Sequence, residues 1–471
     1  SSDLAKHPTV PVIGTGREVL LPGFVNGHHH IGLTPVQLGS PDMPLELWFI
    51  TRLVMRSVDL YLDTLYSAFE MIGSGITTVQ HLQGWAPGTQ AEVEKRAGDV
   101  IRAYEDIGMR VSYCYAVRDQ NRLVYRPDEE LVASLPKELQ GPMQRWFDRF
   151  KMSLDGAMDM FRSFHAQHHN KRRVKIQLAP ANLHWCSDRA LGLLSDASSK
   201  YNVPIHMHLL ETAYQKEYAW RRGECTALEY IDRFGMVNER LTIGHGVWLN
   251  EKDIDRLAEA RGCVCHNCSS NFRLRSGVAA LNHFEKKGIT TAIGLDEAGI
   301  NDDRDMLQEM KLVLRAHRVP GMVEADVPTL AQVLRMATAG GARTTPFGDQ
   351  IGTLEVGKAA DMVLIDWESV AYPYLDPLTP TLDAVMQRAK SQAVKMTMCD
   401  GEVIYQDGRF TKVDRTAALK ALHDDLNKAL ADDEVERRNL SVALLPHVRK
   451  FYADYIDPAE HQPFYRPSSM V

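Results

Sequence analysis

Long apolar runs are missing from this sequence, and so is any excess of basic residues. A membrane-spanning helix needs roughly 20 consecutive apolar residues, and no stretch reaches that, so no membrane partner is expected. Lysine and arginine number 54 against 61 aspartates and glutamates, a formal charge of −7. A nucleic-acid binder carries a basic excess or stripe. The short runs Lys171-Arg172-Arg173 and Arg221-Arg222 read instead as solvated faces. Seven cysteines, an odd number scattered over 471 residues, argue against a secreted disulfide scaffold. The first residues lack the charged-then-apolar pattern of a secretory signal, although the native start need not be the first residue here. Internal repeats and low-complexity tracts are absent. These exclusions leave a cytoplasmic enzyme as the expectation.

What is present is ordinary globular usage, 44% hydrophobic and 24% charged, in a chain long enough to bury a core without staples. Short β-branched runs alternate with amphipathic stretches. Strands are expected at Val19–Val25, Ile76–Gln80, Arg110–Ala116, Val174–Ala179, Val203–Leu209, Leu241–His245, Gly262–His266 and Thr290–Leu295. Leu62, Leu65, Phe69 and Ile72 fall at helical spacing before Gly73, and Asn250 is placed to cap a helix carrying Ile254 and Leu257. Eight strands interleaved with helices define an α/β fold, a (β/α)8 barrel, over residues 19–346. Residues 119–171 are too many for one connection and hold an inserted helical lid. From about Gly348 the pattern turns all-β: Ile351–Asp366 and Met396–Gly408 read as strands, with Asp400-Gly401 as a hairpin turn, giving a β-sandwich segment at 347–412. Residues 413–471 form a charged helical tail, suited to packing or subunit contact.

The chemistry-bearing residues sit at strand ends. His28-His29-His30 closes the first strand, where alternation puts His28 and His30 on one face. Two imidazoles on one face suit a divalent metal such as zinc, although His-x-His alone is a weak signal. His208 ends the fifth strand three residues before Glu211, His245 ends the sixth and Asp296 follows the eighth. The C-terminal strand ends of such a barrel converge on one mouth. His28, His30, His208 and Asp296 therefore reach one ion from three strands. Cys263, Cys265, His266 and Cys268 look like a second cluster, but they fall on the seventh strand, where small thiols are ordinarily buried.

These motifs resemble the metal-dependent amidohydrolase superfamily, in its chlorohydrolase and cytosine-deaminase-like branch. The likeness runs through Pro22-Gly23-Phe24-Val25-Asn26-Gly27-His28-His29-His30, His208-x-x-Glu211-Thr212, His245, His266-Asn267-Cys268-Ser269-Ser270-Asn271, Asp296 and Gly352-Thr353-Leu354-Glu355-Val356-Gly357-Lys358-Ala359-Ala360-Asp361. The resemblance implies one divalent metal per subunit on His28, His30, His208 and Asp296. Zinc is the first expectation, with cobalt, iron and manganese as alternatives. Two-metal members use a carboxylated lysine at the end of the fourth strand, where this chain has Leu178-Ala179-Pro180. The implied mechanism uses a metal-activated hydroxide. Asp296 accepts the water's proton, Glu211 carries it to the leaving group, and His245 is a hydrogen-bonding group or a fifth ligand. The resemblance also implies that residues 1–18 are a remnant of the N-terminal part of the β-sandwich, and that the enzyme is a homo-oligomer.

Many deaminases of this branch have Pro-His after the fourth strand. This chain has Pro180-Ala181, followed by Asn182 and His184. The segment after the first strand, with Gly39-Ser40-Pro41-Asp42, resembles more the group of molinate hydrolase and the phenylurea hydrolases. The expectation is hydrolysis of a non-peptide C–N, urea or (thio)carbamate bond in a small neutral molecule, as in xenobiotic degradation. The alternative is a deaminase or dechlorinase of an N-heterocycle. Gln80, His81, Trp85, Asn182 and His184 are the expected substrate contacts, with Phe49 and Met55 lining the pocket.

Overall fold

The computed structural model describes residues 6–7, 9–84, 86–457 and 459. Eight parallel strands follow one another with helical connections: β2 Phe24–His29, β3 Ile76–Gln83, β4 Arg110–Val117, β5 Val174–Ile176 continued by β6 Ala179–Pro180, β7 Ile205–Leu209, β8 Leu241–His245, β9 Cys263–His266 and β10 Thr290–Ile293. They pair in the orders β2-β3-β4-β5 and β7-β8-β9-β10. Bridges from Leu178 to Ile205 and from His29 to Asp296 close the cylinder. Every position of β2, β3, β4, β7, β8 and β9 is buried, because helices cover the outside and side chains fill the inside. Asn250 caps its helix: its side-chain oxygen accepts from the Asp253 backbone N–H at 2.8 Å, and its own backbone N–H donates to Asp253 Oδ2 at 3.4 Å.

A five-stranded antiparallel sheet lies beside the barrel, in the order β1 Glu18–Pro22, β11 Met362–Asp366, β12 Val394–Cys399, β13 Glu402–Gln406 and β14 Arg409–Phe410. The run Val19–Val25 is therefore two strands. Glu18–Pro22 pairs with β11 in register Glu18 to Asp366, and the barrel begins at Phe24. Pro22 removes a ladder donor, and a side chain at Gly23 would come within 2.4 Å of Thr77. Of the run expected over Ile351–Asp366 only Met362–Asp366 is a strand. Gly352 and Gly357 hold φ of 90° and 95°, turning the chain before it.

The segment between β4 and β5 carries helices Asp128–Ser134, Lys137–Phe147 and Leu154–His168. The tail forms helices Arg415–Leu426 and Asp432–Tyr452. Leu440, Leu444 and Val448 of the second pack with Leu47, Ile50 and Leu53 of the segment after β2 and with Leu131 and Met143 of the inserted helices. Ser441 Oγ donates to the Ile50 carbonyl at 2.7 Å, and Arg437 to the Leu53 and Met55 carbonyls at 2.9 and 2.8 Å.

Candidate metal centre

Three imidazoles meet where β2 and β7 end. The Nε2 atoms of His28 and His30 are 2.9 Å apart, those of His28 and His208 3.1 Å, and those of His30 and His208 3.0 Å. The other ring nitrogens fix the tautomers. Nδ1 of His30 lies 2.7 Å from the Leu82 carbonyl, and Nδ1 of His208 lies 2.7 Å from the Ala181 carbonyl. A carbonyl only accepts, so both Nδ1 atoms carry the proton and both Nε2 atoms present lone pairs. Nδ1 of His28 is 2.7 Å from Nε2 of His206, which orients the third ring. Lone pairs facing one another in a buried pocket fit a shared cation. Asp296 Oδ1 stands 3.2 Å from His30 Nε2 and 3.7 Å from His28 Nε2, and Asp296 forms a second trio of ligand atoms with His28 and His245.

The remaining polar side chains surround this set. Asp296 Oδ2 accepts from Ser270 Oγ at 2.5 Å and faces His245 Nε2 at 3.7 Å. Burial works against its charge, but His30, His245 and Ser270 together hold its carboxyl well below the usual range. His245 Nδ1 donates to Asn271 Oδ1 at 2.9 Å, and Asn267 Nδ2 reaches Nε2 at 3.1 Å. Glu211 Oε1 is 3.8 Å from His245 Nδ1. Burial first, then the charges of Asp296 and Glu46, push the Glu211 carboxyl well above its ordinary value. Both His245 and Asp296 take left-handed backbone, φ 72° and 53°, a conformation held against its cost where the surroundings over-determine it. Gly294 makes room for the convergence: a Cβ there would stand 2.3 Å from Asn267 Oδ1 and 2.5 Å from His28 Cβ.

The other expected contacts divide. His81 lines a cavity of about 420 Å3 that opens beside His30, as do Phe49, Met55 and Gln83. Gln80, Asn182 and His184 are buried but do not line it. Gln80 Nε2 donates to Cys114 Sγ at 3.2 Å, Asn182 Oδ1 accepts from the Leu183 backbone, and the His184 ring packs 4.1 Å from that of Tyr125. Trp85 lies outside the described residues. Arg222 is not simply solvated: it donates to the Leu183 and Cys186 carbonyls and pairs with Asp188. No sequence pattern marks Asn267, Asn271 and Ser270 as orienting groups. His206 had a signal, since strand alternation puts it on the face of His208. His266, Cys268 and His317 offer a second group of ligand atoms. There the two Nε2 atoms satisfy each other at 2.8 Å as one hydrogen bond between imidazoles.

Comparison with known proteins agrees with this architecture. The family model described as "Amidohydrolase family" matches residues 19–404, and the chain belongs to that family, whose members are metal-dependent hydrolases. A 5-methylthioadenosine/S-adenosylhomocysteine deaminase of Pyrococcus furiosus is 27% identical over 424 residues, covering 88% of this chain and 90% of that protein. Two solved structures share the fold. A zinc-bound adenosine deaminase of Xanthomonas campestris has a TM-score of 0.73 at 23% identity, covering 88% of this chain and 86% of that one. The zinc complex of atrazine chlorohydrolase from Arthrobacter aurescens TC1 has a TM-score of 0.75 at 19% identity, covering 87% and 88%.

Proposed function

We propose that this enzyme hydrolyses a non-peptide C–N, urea or (thio)carbamate bond of a small molecule. His28, His30, His208 and Asp296 would hold a single divalent cation, zinc first. The convergence of three imidazole lone pairs beside Asp296 and a protonatable Glu211 is the observation that carries the reading. When bound, the cation supplies Lewis acidity and makes water nucleophilic at neutral pH.

The protein's own groups then divide the proton work. Asp296 Oδ2, pointed away from the histidine cluster toward Ser270 and His245, receives the proton of the attacking water. Glu211, whose carboxyl burial and the charges of Asp296 and Glu46 push well above its ordinary value, passes a proton to the leaving nitrogen or sulfur. His245 carries its proton on Nδ1, toward Asn271. Its Nε2 is then an acceptor and takes the Asn267 amide proton at 3.1 Å, so the ring orients the surroundings of Asp296 Oδ2 rather than donating to an oxyanion. Ala181 is fully buried and its carbonyl orients His208, so no imidazole stands where many deaminases of the branch place one. That favours a carbonyl electrophile.

Deamination of an N-heterocycle is the second reading, favoured by the adenosine-type deaminases among the relatives. A screen of ureas, thiocarbamates, amides and aminated or chlorinated heterocycles, with metal measured on the same sample, separates the two. In either case Glu211→Gln is expected to keep its metal and lose turnover by about 100-fold or more. Near-normal activity in that variant refutes the proton-transfer role.

A further inference from the structure

The cavity beside His30 has a lopsided wall: seven arginines against one carboxylate, Asp63. Most of these arginines are engaged. Arg52 pairs with Glu297 at 2.5 Å, Arg149 with Asp433 at 3.0 Å, and Arg56 with Glu434 at 3.6 Å. Arg122 lies 3.5 Å from Asp128, and Arg437 lies 3.6 Å from Asp433 and donates to backbone carbonyls. Arg96 donates to the Pro87 carbonyl.

Arg118 is different. It follows β4 directly, at the mouth of the barrel. Its guanidinium carbon lies 3.4 Å from the centre of the Trp185 ring, with Phe49 at 6.0 Å. Among the described residues it has no ion pair, and its Nε has no hydrogen-bond partner. Stacking on an aromatic face fixes the plane of a guanidinium and leaves its in-plane N–H donors free. Gln83, on the same wall, has a buried amide nitrogen that is also without a partner, while its Oε1 accepts from Tyr113. Both unmet groups are donors, so what they lack is an acceptor. Burial and the nearby charge of Arg52 lower Arg118 to about 9, more than Tyr115, Cys186 and Glu297 raise it.

We propose that the substrate carries a carboxylate, seated on Arg118, apart from the bond that is hydrolysed. A planar monoanion matches one rigid guanidinium fork in two-point contact. The proposal rests on the hydrolase reading above and confines the expected neutrality of the substrate to its reacting group.

Calorimetric titration of the zinc-loaded enzyme with benzoate and with benzamide tests it. Wild type is expected to bind benzoate at least about 10-fold more tightly than benzamide, since a charge-assisted pair to a half-buried, stacked arginine is a strong contact. Arg118→Met is expected to weaken benzoate by a similar factor at unchanged zinc content, with Arg118→Lys in between. Equal wild-type affinity for the two probes overturns the proposal without recourse to a variant. So does benzoate binding that survives Arg118→Met but disappears on zinc removal, which puts the carboxylate on the metal. Turnover of 4-ureidobenzoate against phenylurea separates the two claims. Preference for the carboxylated urea supports both. A benzoate preference with neither urea cleaved supports the carboxylate seat and counts against urea hydrolysis alone.

Discussion

Glu309 stands behind the candidate site, almost fully buried, with Ser269 donating to it from the backbone at 2.9 Å and from its hydroxyl. Burial raises its carboxyl to about 7, more than those two donors lower it. The folded state therefore binds a proton more tightly than the unfolded chain does. Stability from this group is present below the ordinary carboxyl value and is lost as pH rises toward 7, by about 3 kcal/mol at 1.36 kcal/mol per unit. Glu309→Gln has no such proton to lose. Urea denaturation of the metal-loaded proteins is expected to show the variant gaining about that much on wild type between pH 4 and pH 8. A difference that does not change with pH would contradict it. At this scale the meeting of His28, His30, His208 and Asp296 was legible, because each sits at or just past a barrel strand end and such ends share one mouth. The groups that orient them were not. The carbonyls of Leu82 and Ala181 belong to positions whose side chains say nothing about hydrogen bonding. Arg118 acquires meaning only from Trp185, 67 positions away, and from the partners it lacks.

Elements explain where the sequence reading needed correction. The β-branched run Val19–Val25 reads as one strand, although Pro22-Gly23 interrupts it. These are the punctuation residues of a chain that leaves one sheet for another. The seam between the two sheets is held by a buried charge pair. Arg110 Nε and Nη2 donate to Asp361 at 3.0 and 2.9 Å, and both side chains are 1% exposed. Asp361 also accepts from the Asp400 backbone at 2.7 Å, and its carbonyl accepts from Gly23 at 2.8 Å. Strand β4 begins at Arg110, at the opposite end of the strand from the metal centre. Asp361→Asn leaves the buried guanidinium with only Asp400, 3.7 Å away, as counter-charge, and a loss of about 3 kcal/mol in stability is expected. The metal centre depends on the other ends of the strands, so metal content per folded chain should stay at the wild-type level. A stability loss under 1 kcal/mol would mean that the Asp400 turn, not the charge pair, holds the seam.

At the scale of the molecule, the helix Asp432–Tyr452 folds back over the segment that follows β2. The helix Asp432–Tyr452 presses Leu440, Leu444 and Val448 onto Leu47, Ile50 and Leu53. The same segment contributes Phe49, Arg52, Leu53 and Met55 to the wall of the cavity beside His30. No run of sequence announces this coupling, since about 390 residues separate Ile50 from Ser441, which donates to its carbonyl. The helical pattern of the tail was legible and its partner was not. Leu444 is 0% exposed at the centre of that contact. Leu444→Ala should cost about 2–5 kcal/mol, the range for emptying a buried leucine site. If the tail clamps the cavity wall, the loss should also appear in catalysis, and in a particular form. The proposed metal ligands and Glu211 sit at or just past barrel strand ends, so kcat should change little, while loosening of the Phe49–Met55 wall raises KM. A variant that loses stability with KM unmoved would make the helix a brace for the fold alone. A fall in kcat at constant KM would mean that the wall positions the proton-carrying groups rather than the substrate.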